Sequence, residues 1–208
     1  MTAPGHWSVD DCTTCFRCVE TCPGGALTRF GEARSPEDVY AELAPEFSLY
    51  RQSGGGVTFS GGEASLFPEY VHALQQPLKA EGNHTAKETC GLFHLKHVRP
   101  LTELLGDDQA WQRFSSQILW RALGGLDLLL FDLKIMDPAR HQLHCGADNA
   151  RILDNFALLA ALAAAGRGPQ VWPRLPLVPG ITDDEDNVRA IARFVRNCGL
   201  SAITLLPY

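Results

Sequence analysis

No apolar stretch in this chain approaches the roughly 20 consecutive residues that a bilayer-spanning helix needs. No basic cluster stands out either, since 24 acidic side chains outnumber 18 basic ones and the net charge is −6. The first absence argues against a membrane protein and the second against a nucleic-acid-binding surface. Residues 1–10 have neither a basic start nor an apolar middle, so they do not read as a signal peptide. With no targeting segment to read, the expected location is cytoplasmic, where thiols stay reduced. Internal repeats and low-complexity tracts are lacking too. A hydrophobic share of 45% over 208 residues suits one soluble domain with a real core.

Against these absences one feature is dense. Cys12, Cys15, Cys18 and Cys22 stand at C-x2-C-x2-C-x3-C spacing and are followed at once by Pro23. This is the bacterial ferredoxin pattern, in which three thiolates on a tight loop hold corners of a 4Fe-4S cluster and the fourth commonly reaches another cluster. No second run follows, which leaves open what Cys22 shares. Zinc is the competing reading. It usually takes two separated C-x2-C pairs or a mixed Cys/His set, and His6 is the one histidine nearby. A disulfide framework would need an oxidising compartment that nothing else suggests. Cys90, Cys145 and Cys198 are scattered and read as small packing residues.

Beyond the cysteine loop, short apolar runs alternate with helical patterns. Helices are expected over 36–50, with Ser35 as N-cap, and over 67–81, 149–165 and 183–197. The 98–123 span reads as one long helix or two, split near Gly106-Asp107-Asp108. Strands are expected over 57–60, 84–89, 126–131, 171–178 and 203–206, the third an apolar run of the kind buried on both faces. The order βαβαβαβαβ predicts an α/β fold with a parallel sheet. Eight strands of a full (β/α) barrel take about 250 residues, so an open, partial barrel fits better. The expected division is a ferredoxin-like iron–sulfur segment over 1–34 and the partial barrel over 35–208.

The run from Gly54 to Glu63, GGGVTFSGGE, places glycines on both sides of a short strand. Glycines there let a backbone approach a ligand closely. Glu63 falls just past the C-terminal end of the strand, the edge where barrel active sites are built. Asp132 and Lys134 follow the apolar 126–131 run, and Arg174 lies between Pro173 and Pro176. Each has a plainer reading: Glu63 as a helix-start residue favoured by the dipole, Asp132 and Lys134 as an exposed strand-end pair, Arg174 as a surface charge.

Five stretches, in this order and over nearly the whole chain, carry a resemblance: 12–23, 50–63, Glu88-Thr89-Cys90-Gly91, Phe131-Asp132-Leu133-Lys134, and 173–187 with Arg174 and Val178-Pro179-Gly180. With them the chain resembles the activating enzymes of glycyl-radical enzymes, within the radical S-adenosylmethionine superfamily. The resemblance implies a cofactor, S-adenosyl-L-methionine, beside the 4Fe-4S cluster. It implies a glycyl-radical enzyme as partner and an electron donor such as flavodoxin or ferredoxin. Gly61, Gly62 and Glu63 look like the loop that receives the cofactor's methionyl amino group, where a carboxylate suits an ammonium. Asp132 and Lys134 look like further contacts, and Arg174 like the partner of its carboxylate. Glu88 and Thr89, with Asp132, look like the monovalent-cation and carboxylate site of some members. His141, His144 and Asn149 match a family stretch without an assignable chemistry.

The departures are equally plain. The C-x3-C-x2-C loop that defines the family does not occur in the sequence, one ferredoxin run stands where relatives usually carry two, and the chain ends at Tyr208 before a family histidine. Lys87 takes a strand position where an apolar residue is usual. These departures lead us to expect a fragment of a larger product or a start codon read too late, with a decayed pseudoenzyme as the other reading; in each case the chain lacks the barrel's first strand and is expected to be inactive alone. The alternative function is a non-catalytic iron–sulfur electron-transfer or scaffold protein.

Overall fold

The computed structural model describes residues 12–96 and 100–208. The reading of residues 1–10, the nearby His6 and the start of the 98–123 helical span lie outside them. Two units divide the chain, residues 1–35 and 36–208. Among its described residues the first carries the cysteine loop and one short helix, α1 (Arg17–Glu20).

In the second unit, five strands form one parallel sheet: β1 (Gly56–Phe59), β2 (His84–Thr89), β3 (Leu128–Asp132), β4 (Gln170–Leu177) and β5 (Thr204–Pro207). They lie side by side in chain order. Helical crossovers join them: α2 (Pro36–Leu43) and α3 (Phe47–Ser53) precede β1, and α4 (Pro68–Ala80) leads to β2. Next come α5 (Leu101–Gly106), α6 (Asp108–Ser115) and α7 (Ile118–Gly124), then α8 (Pro138–Cys145) and α9 (Ala150–Ala164), and last α10 (Glu185–Asn197). Sequential parallel order with crossovers of one hand stacks these helices on one face of the sheet.

The helices form where apolar residues recur at helical spacing. α4 buries Val71, Leu74, Gln75 and Leu78, and α10 buries Asn187, Ile191 and Val195. In the core Leu129 and Phe131 of β3, Leu175 of β4 and Phe156 of α9 are fully buried, with the Phe131 and Phe156 rings edge to face at 5.1 Å.

Several boundaries differ from expectation. The 36–50 helix breaks at Ala44–Glu46 into a 3-10 turn with Pro45 in it, and resumes as α3. The 98–123 span holds three helices, because Asp107 caps α6 by accepting from the Gln109 and Ala110 N–H groups and Gln117 is extended. α8 is a helix the apolar pattern did not show. It is announced by Asp137-Pro138, an N-cap accepting from the Arg140 N–H followed by proline at the first turn. The β3 run is not buried evenly: Leu129 and Phe131 are buried, whereas Leu128 and Leu130 on the other face are half-buried. Pro173 and Pro176 are tolerated in an inner strand for a geometric reason. β4 pairs with β3 over 170–174 and with β5 over 174–177, so each proline faces one neighbour only. Among the described residues no helix is long and apolar enough to cross a membrane.

Candidate functional site

Register decides which side chains meet. Parallel partners share a face, so Glu88, Leu130 and Trp172 point one way, and Asp132 and Arg174, two residues on, point the same way. This is the face opposite the one that carries Lys87, Leu129 and Val171. At its C-terminal edge, Arg174 Nε donates to Asp132 Oδ1 at 2.8 Å and Nη1 to Glu88 Oε1 at 2.7 Å. The Ser60 hydroxyl then donates to Glu88 Oε2 at 3.0 Å. The result is a chain of contacts across the ends of four strands. The Arg174 hydrogen bond lowers the Glu88 carboxyl from its ordinary range. Burial works against the Arg174 charge, but Asp132 and Glu88 outweigh it and raise its pKa.

Glu63 belongs to the other face of the same edge. Its Oε1 accepts from the Lys87 ammonium at 2.8 Å and from the Ser65 N–H at 3.0 Å. Its Oε2 accepts from the Thr89 hydroxyl at 2.9 Å, the Cys90 N–H at 3.1 Å and the Cys90 thiol at 3.4 Å. Burial pushes the Glu63 carboxyl up, but the Lys87 charge and the bonds from Lys87 and Ser65 prevail and hold it at about 2. Burial lowers the Lys87 pKa, and Glu63 resists that shift. Burial, with the Glu63 charge, raises the Cys90 thiol, so Cys90 is a neutral donor. The plainer reading of Glu63 holds in part, since it also caps the 3-10 turn Ala64–Leu66.

Between these two networks lies the Ser60–Glu63 turn. Gly61 has φ of +110°, which a residue with a side chain rarely adopts. A Cβ on Gly61 or Gly62 would meet nothing within 4 Å, so the turn's surface is open. The Lys134 ammonium makes no hydrogen bond or ion pair among the described residues and is half-buried. The edge therefore offers carboxylates, a guanidinium, a free ammonium and an open turn within one neighbourhood. Both signs of charge suit a zwitterionic ligand.

Thr89 is placed by the structure on the Glu63 side, away from Glu88 and Asp132, with which sequence reasoning grouped it. Residues that hold the edge were not singled out as site residues. Asn187 Nδ2 donates to the Lys134 carbonyl at 2.8 Å, while its Oδ1 accepts from the Met136 N–H. Asn149 Nδ2 donates to the Ile135 and Met136 carbonyls, at 2.9 and 2.8 Å. Asn155 Nδ2 donates to the Gly91 and Phe93 carbonyls at 2.8 Å each. Gly91 itself must be glycine, because a Cβ there would lie 2.1 Å from the Phe131 ring. Three buried asparagines, Asn149 at the start of α9 and Asn155 and Asn187 within helices, were the available signal, since buried amides bond to something.

In the first unit, Cys12, Cys15 and Cys18 are exposed and Cys22 is half-buried. The structure does not gather them: among the described residues no three His, Cys, Asp or Glu side chains converge as a metal site. The donor chemistry nevertheless suits a metal. The Thr14 N–H donates to Cys12 Sγ at 3.4 Å. Backbone donors at Arg17 and a bond from Thr13 lower Cys15, and the Leu27 and Ala26 N–H groups lower Cys22. Lowered thiols favour the thiolate that binds iron. Thr14 and Phe16, at φ of 52° and 58°, supply the tight turns around Cys15.

No protein-family model matches the chain. It is 34% identical over 95% of its length to the isethionate sulfite-lyase activating enzyme of Nitratidesulfovibrio vulgaris, covering 56% of that protein. It is 32% identical over 95% of its length to the pyruvate formate-lyase 2-activating enzyme of Escherichia coli, covering 59% of it. A solved domain of a pyruvate-formate lyase-activating enzyme from Bacteroides vulgatus matches with a TM-score of 0.48 at 30% identity, over 74% of this chain and 81% of that one. The chain thus spans a little over half the length of the curated relatives it matches first. On this similarity along nearly its whole length, the chain is a homologue of the activating enzymes of glycyl-radical enzymes.

Proposed function

We propose that the chain is part of an enzyme that uses S-adenosyl-L-methionine and 4Fe-4S chemistry to place a radical on a glycine of a partner enzyme. The observation that carries this reading is the C-terminal edge, where Glu88, Asp132 and Arg174 meet across three strands beside the open Gly61-Gly62 turn. Bound at a reduced cluster, S-adenosylmethionine supplies a 5′-deoxyadenosyl radical able to take a hydrogen atom from a backbone glycine. The protein's own task is binding, orientation and exclusion of side reactions. Backbone carbonyls of the turn and the carboxylates of Glu88 and Asp132 are the groups that would hold the methionyl ammonium. Arg174 and the free ammonium of Lys134 are the ones for its carboxylate. Glu63 contributes by fixing the turn, since its own oxygens are already taken. Cys12, Cys15 and Cys18 would hold an auxiliary 4Fe-4S cluster, with Cys22 as a fourth or shared ligand. The sheet is read as part of a (β/α) barrel and the cysteine segment as ferredoxin-like. A small electron-transfer protein, a flavodoxin or ferredoxin, is the proposed reductant.

The test is made in two forms of the protein. Reconstituted anaerobically with iron and sulfide, the 208-residue chain is expected to gain charge-transfer absorbance that Cys12→Ala, Cys15→Ala or Cys18→Ala abolishes. Reduced and given S-adenosylmethionine, it should form no 5′-deoxyadenosine, because its sequence holds no C-x3-C-x2-C and, with Cys22 as the fourth ligand, the cluster on this chain offers no open iron. A chimera that adds the segments of the Nitratidesulfovibrio vulgaris relative which the chain does not match should form 5′-deoxyadenosine and raise a glycyl-radical signal on that relative's partner. A chimera that binds clusters but makes no 5′-deoxyadenosine would favour the electron-transfer or scaffold reading.

A further inference from the structure

Lys87 is fully buried, a charged side chain among the large apolar ones that make up the core of the described residues. It stands mid-strand on the helix-covered face, in register with Phe59 on one side and Leu129 on the other. Its ammonium reaches Glu63 Oε1 at 2.8 Å, Ser65 Oγ at 2.5 Å and the Glu88 carbonyl at 3.4 Å, and lies 6.0 Å from the Phe93 ring centroid. A lysine in an apolar row is costly, and replacing a buried ion pair by apolar residues of similar volume is often neutral or stabilising. Stability alone therefore gives no reason for this pair.

Position does. Lys87 and Glu88 are neighbours in β2 and so point to opposite faces. Glu88 takes the Ser60 hydroxyl on the open face, and Lys87 takes Glu63 on the helix face. The Ser60–Glu63 turn thus straddles the end of β2 and is held at both of its ends by adjacent residues of one strand. At the Glu63 end the two oxygens receive five donors, and Lys87 is the one that carries charge.

We propose that Lys87 is a positioning residue: through Glu63 it fixes the Gly61-Gly62 turn at the C-terminal edge, so that the turn's backbone is presented to the ligand in one arrangement. The inference rests on reading that edge as the ligand site. It adds a residue that contact with the ligand would not identify, because Lys87 itself is sealed from solvent. It also makes the Glu63 charge an internal one, matched within the protein and not held in reserve for the ligand.

The experiment compares the full chain with Lys87→Met and with the double variant Glu63→Gln/Lys87→Met, by amide exchange and backbone ¹⁵N relaxation. The double variant removes both charges, so the core amides of Leu129 and Phe131 should exchange as in the parent. The Ser65 and Cys90 amides, which lose a carboxylate acceptor, should still exchange about tenfold faster, the equivalent of one hydrogen bond. Order parameters at Gly61 and Gly62 should fall below about 0.6. S-adenosylmethionine, titrated as the probe, should shift the Gly61 and Gly62 resonances of the parent with at least about tenfold higher affinity than those of the double variant. If the double variant restores Ser65, Cys90, Gly61 and Gly62 to parental behaviour, Lys87 only compensates a buried charge and the proposal is wrong. Should Lys87→Met fail to fold, the double variant decides alone. A parent that shows no response to S-adenosylmethionine would overturn the ligand-site reading, while the exchange and relaxation data would still decide whether Lys87 fixes the turn.

Discussion

β2 is tied at both ends by the same kind of contact, a lysine ammonium on a carboxylate, and the two ends differ in what surrounds it. At the start of the strand, Lys79 of α4 meets Asp127 Oδ1 at 2.5 Å, with both side chains about a third exposed, 37% and 30%. Asp127 Oδ2 also accepts from the Thr85 N–H and hydroxyl, at 2.7 and 3.1 Å. That pair locks α4, β2 and the entry to β3 together, and water screens it. At the end of the strand, Lys87 and Glu63 are 1% and 12% exposed, and what they hold is a turn with open space above it. The same chemistry thus serves assembly at one end of the sheet and presentation of a surface at the other. A charge buried where an apolar side chain would pack as well marks the end where geometry matters most.

The largest effect that should separate the two ends is the cost of removing the lysine. Lys87→Met leaves Glu63 as a buried carboxylate without its cation, and breaking a buried pair in this way costs about 3–5 kcal/mol. Urea unfolding should show that loss as a lower midpoint with an unchanged slope. A loss under about 1 kcal/mol would mean that Glu63 is satisfied by its neutral donors alone and that the ends do not differ as described.

The pH dependence of that loss is a finer discriminator. Glu63 titrates near 2 in the folded protein, below the ordinary carboxylate range, so the unfolded chain binds its proton more readily. By linkage, its contribution is fully present above the unfolded value of about 4.3 and is lost as the pH falls through the folded value. Lys87→Met raises the folded pKa of Glu63 and removes this contribution. The stability gap between parent and variant should therefore be widest at neutral pH and close between about pH 4.3 and pH 2. A gap that stays constant from pH 7 to pH 2 would show that the lysine acts by packing and not by charge.

The smallest effect belongs to the exposed end. Lys79→Met should cost about 0.2–1 kcal/mol, and added salt should shrink that cost further. A loss matching that of Lys87→Met would erase the contrast between the ends.

How far the sequence foretold this arrangement can be read from the same residues. The parallel order, the place of each strand and the glycine-framed turn were legible, because apolar spacing and glycine placement are local signals. Glu88, Asp132 and Arg174 could be singled out by resemblance, yet their meeting depends on register across β2, β3 and β4, which spacing along one strand does not contain. The inward turn of Glu63 was not legible for the same reason: its partners are on β2, on the face opposite Glu88. Lys87 stood out as a charge in an apolar place, but its purpose needed the 2.8 Å contact to Glu63. α8 went unseen because its apolar residues are few, although Asp137-Pro138 announces its start. Asn149 at the start of α9, and Asn155 and Asn187 on buried helix faces, are polar residues that only the loops they bind explain.

The most direct test of the central claim is to ask which end of the sheet S-adenosylmethionine touches. Titrated into ¹⁵N-labelled chain under anaerobic conditions, it should shift the amides of Gly61, Gly62, Lys134 and Arg174 at the C-terminal edge and leave those of Thr85 and Asp127 in place. Affinity is expected to be low. The catalytic cluster would otherwise grip the amino and carboxylate groups, each such charge-assisted contact contributes about 1.5–3 kcal/mol, and two lost contacts weaken binding about a hundredfold or more. Shifts at the C-terminal edge that Arg174→Met abolishes would bear the account out. Shifts confined to the Thr85–Asp127 end, or none at millimolar ligand, would contradict it.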